Sequence, residues 1–361
     1  MIAAAGGSEI DLPAWFLATL ACPADGAAVR RAGHALECPV CGRVFSTAGG
    51  IPRMLLEGAP RDSAQAQQRV YDTRNTHASA WAQEAGFATQ LIYRRELLLD
   101  ALDRLQIERP QHEEELWVYV GGGEGTQCIA LSEFGGRHMS LDISATQLEL
   151  GRWLIDAVAP RYLPEADCSR VVFVQADGEA PLPLRPESAD VAYGLGVLNH
   201  LPPDLWADHL RQLYKLLKPG GVAFQVVPNI ECEVFRSPVF TKQFADPSSM
   251  QYWTQFVTES RVTAAFQNAG LERLRVARLW RLNHDSAARH VSRADGLIRR
   301  VAQTWGLKWS YPLTRTWQGW LRRSAERGGV AARPWTFDAP RHLAIAGLRP
   351  PADAVRGKAS P

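Results

Sequence analysis

Leu116-Trp117-Val118-Tyr119-Val120-Gly121-Gly122-Gly123-Glu124-Gly125-Thr126 decides the fold. The apolar run from Leu116 to Val120 suits a strand buried on both faces. It breaks off in glycines, which tolerate positive φ and let a ligand approach the backbone. A helix-compatible sequence follows, and its first turn offers unpaired N–H groups that favour anions. Downstream, Met139-Ser140-Leu141-Asp142 is a second apolar stretch, ending in an acid placed to hold a ribose diol. Strand, glycines, helix and a second strand ending in an acid together indicate a nucleoside site.

Outward from this stretch, strand and helix signals alternate. Strands are expected at 116–120, 138–142, 171–175, 189–194 and 221–227, with helices at 126–134, 145–157 and 204–217. A helix over Leu91–Leu105 carries its leucines broadly on one face and should pack on the sheet. Helix 259–269 and strand 272–280 continue the pattern, and His342–Gly347 supplies the last strand. Such alternation implies an α/β fold with a doubly wound, mostly parallel sheet. The expected organisation is a small domain at 1–57, a linker and covering helix at 58–90, a core at 91–280, a helical insert at 281–337, and a last strand and tail at 338–361.

Ligands of open α/β sheets gather beyond the carboxyl ends of the strands, so those ends carry the candidate chemistry. Gly121, Gly123 and Gly125 either admit a ligand or form a tight connection. Asp142 either binds ribose or caps the helix starting near Ala145. Gln175-Ala176-Asp177-Gly178 offers a carboxylate for an exocyclic amine, or a plain Asp-Gly turn. After the fourth strand, Gly194-Leu195-Gly196-Val197-Leu198-Asn199-His200-Leu201-Pro202 sets Asn199 and His200 just past the strand end. His200 is suited to accept a proton near neutral pH, or to hydrogen-bond the turn that holds Pro202. Leu217-Lys218-Pro219-Gly220-Gly221 reads as a helix end and a sharp turn into the fifth strand.

Near the amino terminus, Cys22-Pro23-Ala24-Asp25 and Cys38-Pro39-Val40-Cys41-Gly42 form two short turns separated by a hairpin-length span. Closely spaced thiolates suit tetrahedral zinc. Cys22, Cys38 and Cys41 are the expected ligands, with Asp25 as the fourth and His34 as its alternative; a metal-free ribbon held by packing is the other reading. With Gly49-Gly50-Ile51-Pro52-Arg53-Met54-Leu55, the stretch 15–57 resembles the zinc-ribbon domain of the tRNA-methyltransferase activator family. That resemblance implies a structural or partner-docking role.

Composition narrows the function classes. A net charge of +2 with 22% charged residues excludes a chain that is polyanion-binding as a whole. Six cysteines in 361 residues are no disulfide framework. Met1–Gly7 lacks the regions of a signal peptide and no apolar run reaches membrane-spanning length, so a cytoplasmic protein is expected. The insert 281–337 carries eleven Arg or Lys against three acids, together with Trp305, Trp309, Trp317, Trp320 and Trp335. It reads as a lid with inward tryptophans. Alternatively, 297–323 offers an apolar, arginine-flanked stripe for an apolar or aromatic acceptor, a membrane surface or stacked RNA bases.

In their order, the segments over 68–280 resemble the class I S-adenosylmethionine-dependent methyltransferases, above all the subgroup with a histidine after the fourth strand and a Lys-Pro-Gly-Gly turn. The resemblance implies a Rossmann-like seven-stranded sheet and S-adenosylmethionine as cofactor. It implies that Gly121, Gly123 and Gly125 contact that cofactor, Asp142 holds its ribose, Ile143 lines its adenine, and Asp177 with Gly178 meets the adenine amine. Gly194 and Leu195 border the methionine portion, and Tyr71 closes over it. Tyr193, Asn199 and Trp253 are assigned to position the acceptor, with His200 as the base. One departure stands out: the family's acid two residues before the first glycine, which helps hold the cofactor's ammonium, is Tyr119 here. Glu124 or backbone carbonyls are the groups available to compensate. A small-molecule methyltransferase is the expectation; an RNA methyltransferase and a non-catalytic binding protein are its rivals.

Overall fold

The computed structural model describes residues 12–56, 68–69, 72, 84–228, 258–279 and 342–351, and the single positions 297, 300, 301, 304, 313 and 316. Tyr71, Trp253 and the tryptophans of the insert lie outside the described residues.

The main sheet has seven strands: β4 (Leu116–Val120), β5 (Arg137–Asp142), β6 (Val171–Gln175), β7 (Ala189–Leu195), β8 (Leu217–Pro228), β9 (Glu272–Leu279) and β10 (His342–Leu348). Their spatial order is β6-β5-β4-β7-β8-β10-β9. Strands β4 to β8 pair in parallel, whereas β10 runs antiparallel to both β8 and β9. The order reverses beside β4, which places a topological switch point at the glycine run.

Helices cover both faces. On one side lie α2 (Glu84–Leu105), α3 (Thr126–Leu131) and α4 (Ala145–Trp153), and on the other α6 (Trp206–Leu216) and α7 (Glu259–Asn268). Helix α2 buries Leu91, Leu98, Leu102 and Leu105 against the sheet, positions that share one face at helical spacing. Helix α6 does the same on the opposite face with Leu210, Leu213 and Leu216.

Two expected boundaries shift for physical reasons. The expected helix 145–157 leaves α geometry at a π-helical turn, Leu154–Val158, before the short α5 (Ala159–Tyr162). Pro160 follows and cannot supply the next backbone donor. Lys218–Gly221, expected as a turn preceding the fifth strand, lies inside β8 and bulges from it: Ala189 pairs with Leu217, yet Val191 pairs with Val222. Lys218 does not cap the helix. Its ammonium bonds both Asp190 oxygens, at 2.9 and 2.8 Å, and Asp190 also accepts the Leu116 N–H at 2.8 Å. The lysine therefore ties the starts of β4, β7 and β8 together, at the end of the sheet opposite the glycines.

The amino-terminal segment comprises α1 (Ala14–Thr19) and a three-stranded antiparallel sheet of β1 (Arg30–Ala32), β2 (Ala35–Glu37) and β3 (Val44–Ser46). It has no separate core: Phe16, Leu20, Leu36, Phe45 and Met54 join one apolar cluster with Val118, Met139, Val172 and Val174 of the large sheet. The connection from β6 to β7 contains no helix, so this stretch of the sheet needs another cover. The ribbon supplies it. The Ala21 N–H bonds Pro183 O at 3.0 Å and the Arg185 N–H bonds Thr19 O at 2.9 Å. At the edge strand, Gln175 N–H donates to Pro52 O and Met54 N–H donates to Gln175 O, each at 2.9 Å. Among the described residues, no helix is long and apolar enough to cross a membrane.

Candidate functional site

The glycine run turns where β4 ends. Gly121, Gly123 and Gly125 have φ of 72°, 53° and 67°, a region that side chains with a Cβ rarely enter. Their surroundings differ. A Cβ on Gly121 would stand 2.6 Å from Val197 and one on Gly125 2.7 Å from Phe173, so packing as well as φ demands glycine there. At Gly123 the nearest atoms are 3.7 Å or more away, which leaves an open approach. Gly122, which the sequence reading passed over, is as constrained: its Cβ would fall 2.1 Å from Ser140 Oγ. Gly151 in α4 was missed as well, and lets that helix close on Phe173 and the Glu124 carbonyl.

Asp142 faces the run from the end of β5. Its Oδ2 accepts the Gly123 N–H and its Oδ1 the Ser144 N–H, both at 2.8 Å. Each oxygen retains acceptor capacity for a diol. Desolvation raises the Asp142 pKa to about 6, against the lowering effect of those two N–H groups. The helix-cap alternative for Asp142 is not what forms. Ser144 is the N-cap of α4, accepting the Gln147 N–H at 3.2 Å, a Ser-x-x-Gln pattern legible in the sequence. Ser144 Oγ in turn donates to Asp72 at 2.6 Å.

At the next strand ends, Ile143 is half-buried, and its carbonyl accepts from Gln175 Nε2 at 2.9 Å. Asp177 Oδ1 accepts the Glu179 N–H at 2.8 Å, closing a local turn, and Gly178 O bonds His209 Nδ1 at 3.1 Å. Gly194 lies against Gln225: a Cβ there would be 2.5 Å from the Gln225 amide. Asn199 is 2% exposed, and its Oδ1 has no hydrogen-bond partner among the described residues. His200 ends the 3-10 turn Leu198–His200, half-buried, and desolvation lowers its pKa to about 4, so the ring is neutral near pH 7.

Tyr193 is a correction. It does not face an acceptor but lies fully buried in β7, stacked between Tyr119 (4.7 Å between centroids) and Phe224 (5.0 Å), with its hydroxyl 3.6 Å from Cys128 Sγ. Both faces of this strand are covered, so alternation in sequence did not reveal which way Tyr193 points. Tyr119 is equally enclosed. Burial raises its phenol pKa far above the ordinary value, so it carries no negative charge, and its hydroxyl donates to Leu195 O at 3.5 Å. Arg94 of α2 was also missed; it pairs with Glu124 of the glycine run and bonds Thr126 Oγ1 at 3.0 Å.

In the ribbon, the ligand atoms of Cys22, Asp25, Cys38 and Cys41 all lie within 4.8 Å of one another. Cys22 Sγ and Cys41 Sγ are 3.6 Å apart, and Cys38 Sγ is 3.3 Å from an Asp25 oxygen. Sulfurs bound tetrahedrally at the usual zinc–sulfur length stand about 3.7 Å apart, so the donor set fits zinc. His34 is not part of this group.

Residues 118–224 match a family model described as a methyltransferase domain. A curated relative, the ubiquinone biosynthesis O-methyltransferase of Saccharophagus degradans, is 26% identical over 168 residues, 46% of this chain and 66% of its own length. Among solved structures, phosphoethanolamine N-methyltransferase 2 of Haemonchus contortus with S-adenosyl-L-methionine aligns at TM-score 0.46 and 16% identity, covering 83% of this chain and 62% of that one. The complex of the Haloferax volcanii Trm112 methyltransferase activator with a methyltransferase aligns at 0.46 and 18% identity, covering 81% of this chain and 100% of that one. The chain thus spans about two thirds of the curated relative's length.

Proposed function

We propose, from the premise that this chain carries a class I S-adenosylmethionine-dependent methyltransferase domain, that it methylates a small-molecule acceptor at oxygen, nitrogen or carbon. The observation that carries this reading is the pairing of Asp142 with the glycine run: a carboxylate held by Gly123 N–H, at the carboxyl end of β5, beside the turn that ends β4. This is the arrangement a ribose diol next to a thioether or sulfonium requires.

Bound S-adenosylmethionine supplies an electrophilic methyl group on sulfur. The chain's own residues do the rest. Asp142 accepts from the ribose hydroxyls, Ile143 and the Asp177–Gly178 turn border the adenine, and Gly121, Gly123 and Gly125 let the backbone close on the ligand. Gly194 and Leu195 would border the methionine portion. In-line transfer depends on alignment and exclusion of water more than on acid–base chemistry. Asn199, whose buried Oδ1 has no partner among the described residues, offers an acceptor for a donor group on the substrate. His200, neutral above about pH 4, is in the state to remove a proton where the acceptor must lose one. Cys22, Asp25, Cys38 and Cys41 hold zinc in a structural role.

The test is transfer of labelled methyl from S-adenosylmethionine to a panel of phenols, catechols, amines and acidic-carbon compounds, with RNA as a separate arm. We expect label on a small molecule, and a kcat lowered about 100-fold or more by His200→Ala when the acceptor must be deprotonated. Label on RNA alone overturns the acceptor class; label on nothing, with intact cofactor binding, favours a binding protein.

A further inference from the structure

The connection from β6 to β7 carries the Asp177–Gly178 turn and contains no helix to hold it. Local bonds do part of that work: Asp177 Oδ1 accepts the Glu179 N–H at 2.8 Å, and the Ala176 N–H bonds Asp142 O at 2.9 Å. The rest comes from α6, which is remote in sequence. Gln212 Oε1 accepts the Leu182 N–H at 2.8 Å, and His209, one turn earlier, meets Gly178 O through Nδ1 at 3.1 Å. Gly178 itself lies beside the glycine run, since a Cβ on it would stand 3.8 Å from Val120 Cγ1. A carbonyl can only accept, so His209 is the tautomer with its proton on Nδ1. Nε2 is then a bare acceptor, and it has no partner among the described residues. The residue is 2% exposed, and desolvation lowers its pKa, so the ring is neutral near pH 7 and commits its one N–H to Gly178.

We infer that His209 is a positioning residue for the purine: by holding the Gly178 carbonyl it fixes the Asp177 carboxylate in the orientation that selects an exocyclic amine over a carbonyl oxygen. This rests on the donor-site reading proposed above. The Gly178 carbonyl and the Glu179 N–H belong to one planar peptide unit. His209 bonds one end of that unit and Asp177 Oδ1 accepts from the other, so the imidazole and the carboxylate are linked through a single rigid group. Bonds in such a chain polarise one another, and rotation of the plane breaks both. An ionised carboxylate only accepts, so it bonds an amine and repels an oxygen at the same place. The discrimination therefore depends on where Asp177 is held, and α6 holds it from outside the turn.

The experiment measures binding of S-adenosylhomocysteine and of S-inosylhomocysteine, which has a carbonyl oxygen in place of the exocyclic amine, to wild type, His209→Leu, His209→Asn and His209→Gln. Asparagine can put an amide N–H near the place of Nδ1, whereas glutamine reaches the place of Nε2. We expect wild type to prefer the adenosyl ligand, and His209→Leu and His209→Gln to weaken that ligand about tenfold. S-inosylhomocysteine should change less than about twofold, which also reports that the variants are folded. His209→Asn should keep most of the preference. If His209→Leu does not fold, the contrast between the Asn and Gln variants decides alone. Equal losses for both ligands, or an unchanged preference in the Leu and Gln variants, overturns the positioning role and leaves the donor site standing. A wild type that binds both ligands equally places the amine away from Asp177 and overturns the inference, again with the donor site standing. Wild-type protein that binds neither ligand overturns the donor-site reading and this inference with it.

Discussion

At the residue scale, the site depends on one carboxylate with two states. Asp142 is raised to about 6 in the free protein because burial disfavours its charge, and only the Gly123 and Ser144 N–H groups offset that cost. Ribose hydroxyls donate to the ionised form, so ligand binding and proton binding compete at Asp142. The sign follows: affinity for S-adenosylhomocysteine is constant well above pH 6 and falls on acidification below it, by up to about tenfold per pH unit. The same shift acts oppositely on stability. With its folded pKa above the unfolded value near 3.8, Asp142 favours the fold below that value and loses this contribution as pH rises through about 6. Titrating affinity against pH with wild type and Asp142→Asn checks this; a slope that survives the substitution assigns the proton elsewhere. Asp142 was legible from its position at the end of an apolar run. The burial of Tyr193 was not, because it is set by Tyr119 and Phe224 on neighbouring strands.

At the scale of elements, the strand-to-helix turn is held by sterics that a glycine pattern only partly reports. Gly33 and Gly125 share a positive φ, 61° and 67°, but nothing lies within 4 Å of a Cβ on Gly33, whereas a Cβ on Gly125 meets Phe173 at 2.7 Å. Gly33→Ala should therefore cost only backbone strain, about 1 kcal/mol. Gly125→Ala should cost about 1–3 kcal/mol more through overpacking, and weaken cofactor binding as well. Urea unfolding of the two variants measures the difference; equal costs would mean that Phe173 gives way freely. The boundaries of β4 and β6 were readable because a strand buried on both faces is a continuous apolar run. The bulge at Lys218–Gly221 was not, since it depends on pairing with β7 and on the Gly220 N–H to Arg349 O bond at 3.0 Å, contacts far apart in sequence.

At the scale of the whole molecule, the ribbon replaces a layer of the domain. It covers the face left bare by the helix-free β6–β7 connection, and it shares a core with β4, β5 and β6. Phe16, Leu20 and Leu36 have no exposed surface, and each contributes roughly 1.5–3 kcal/mol by its burial. Loss of the proposed zinc should thus destabilise the whole domain and not the ribbon alone. We expect about one zinc per chain by elemental analysis, a Tm lowered by chelation or by Cys38→Ser, and tighter zinc retention in Asp25→Cys, which completes four thiolates. A metal-free chain with unchanged Tm would show that packing alone holds the ribbon. Its cysteine spacing was plain in the sequence, but its place on the sheet was not, since Leu20 and Leu184 are neighbours only in space.

The end of β4 and Asp142 together form the proposed adenosyl-ligand site. Calorimetric titration of S-adenosylhomocysteine into the full chain at pH 7.5 tests it most directly. We expect saturable one-to-one binding that Asp142→Asn weakens about 10- to 100-fold, with the fold intact. No binding by the wild type, or binding that Asp142→Asn leaves unchanged, would contradict it.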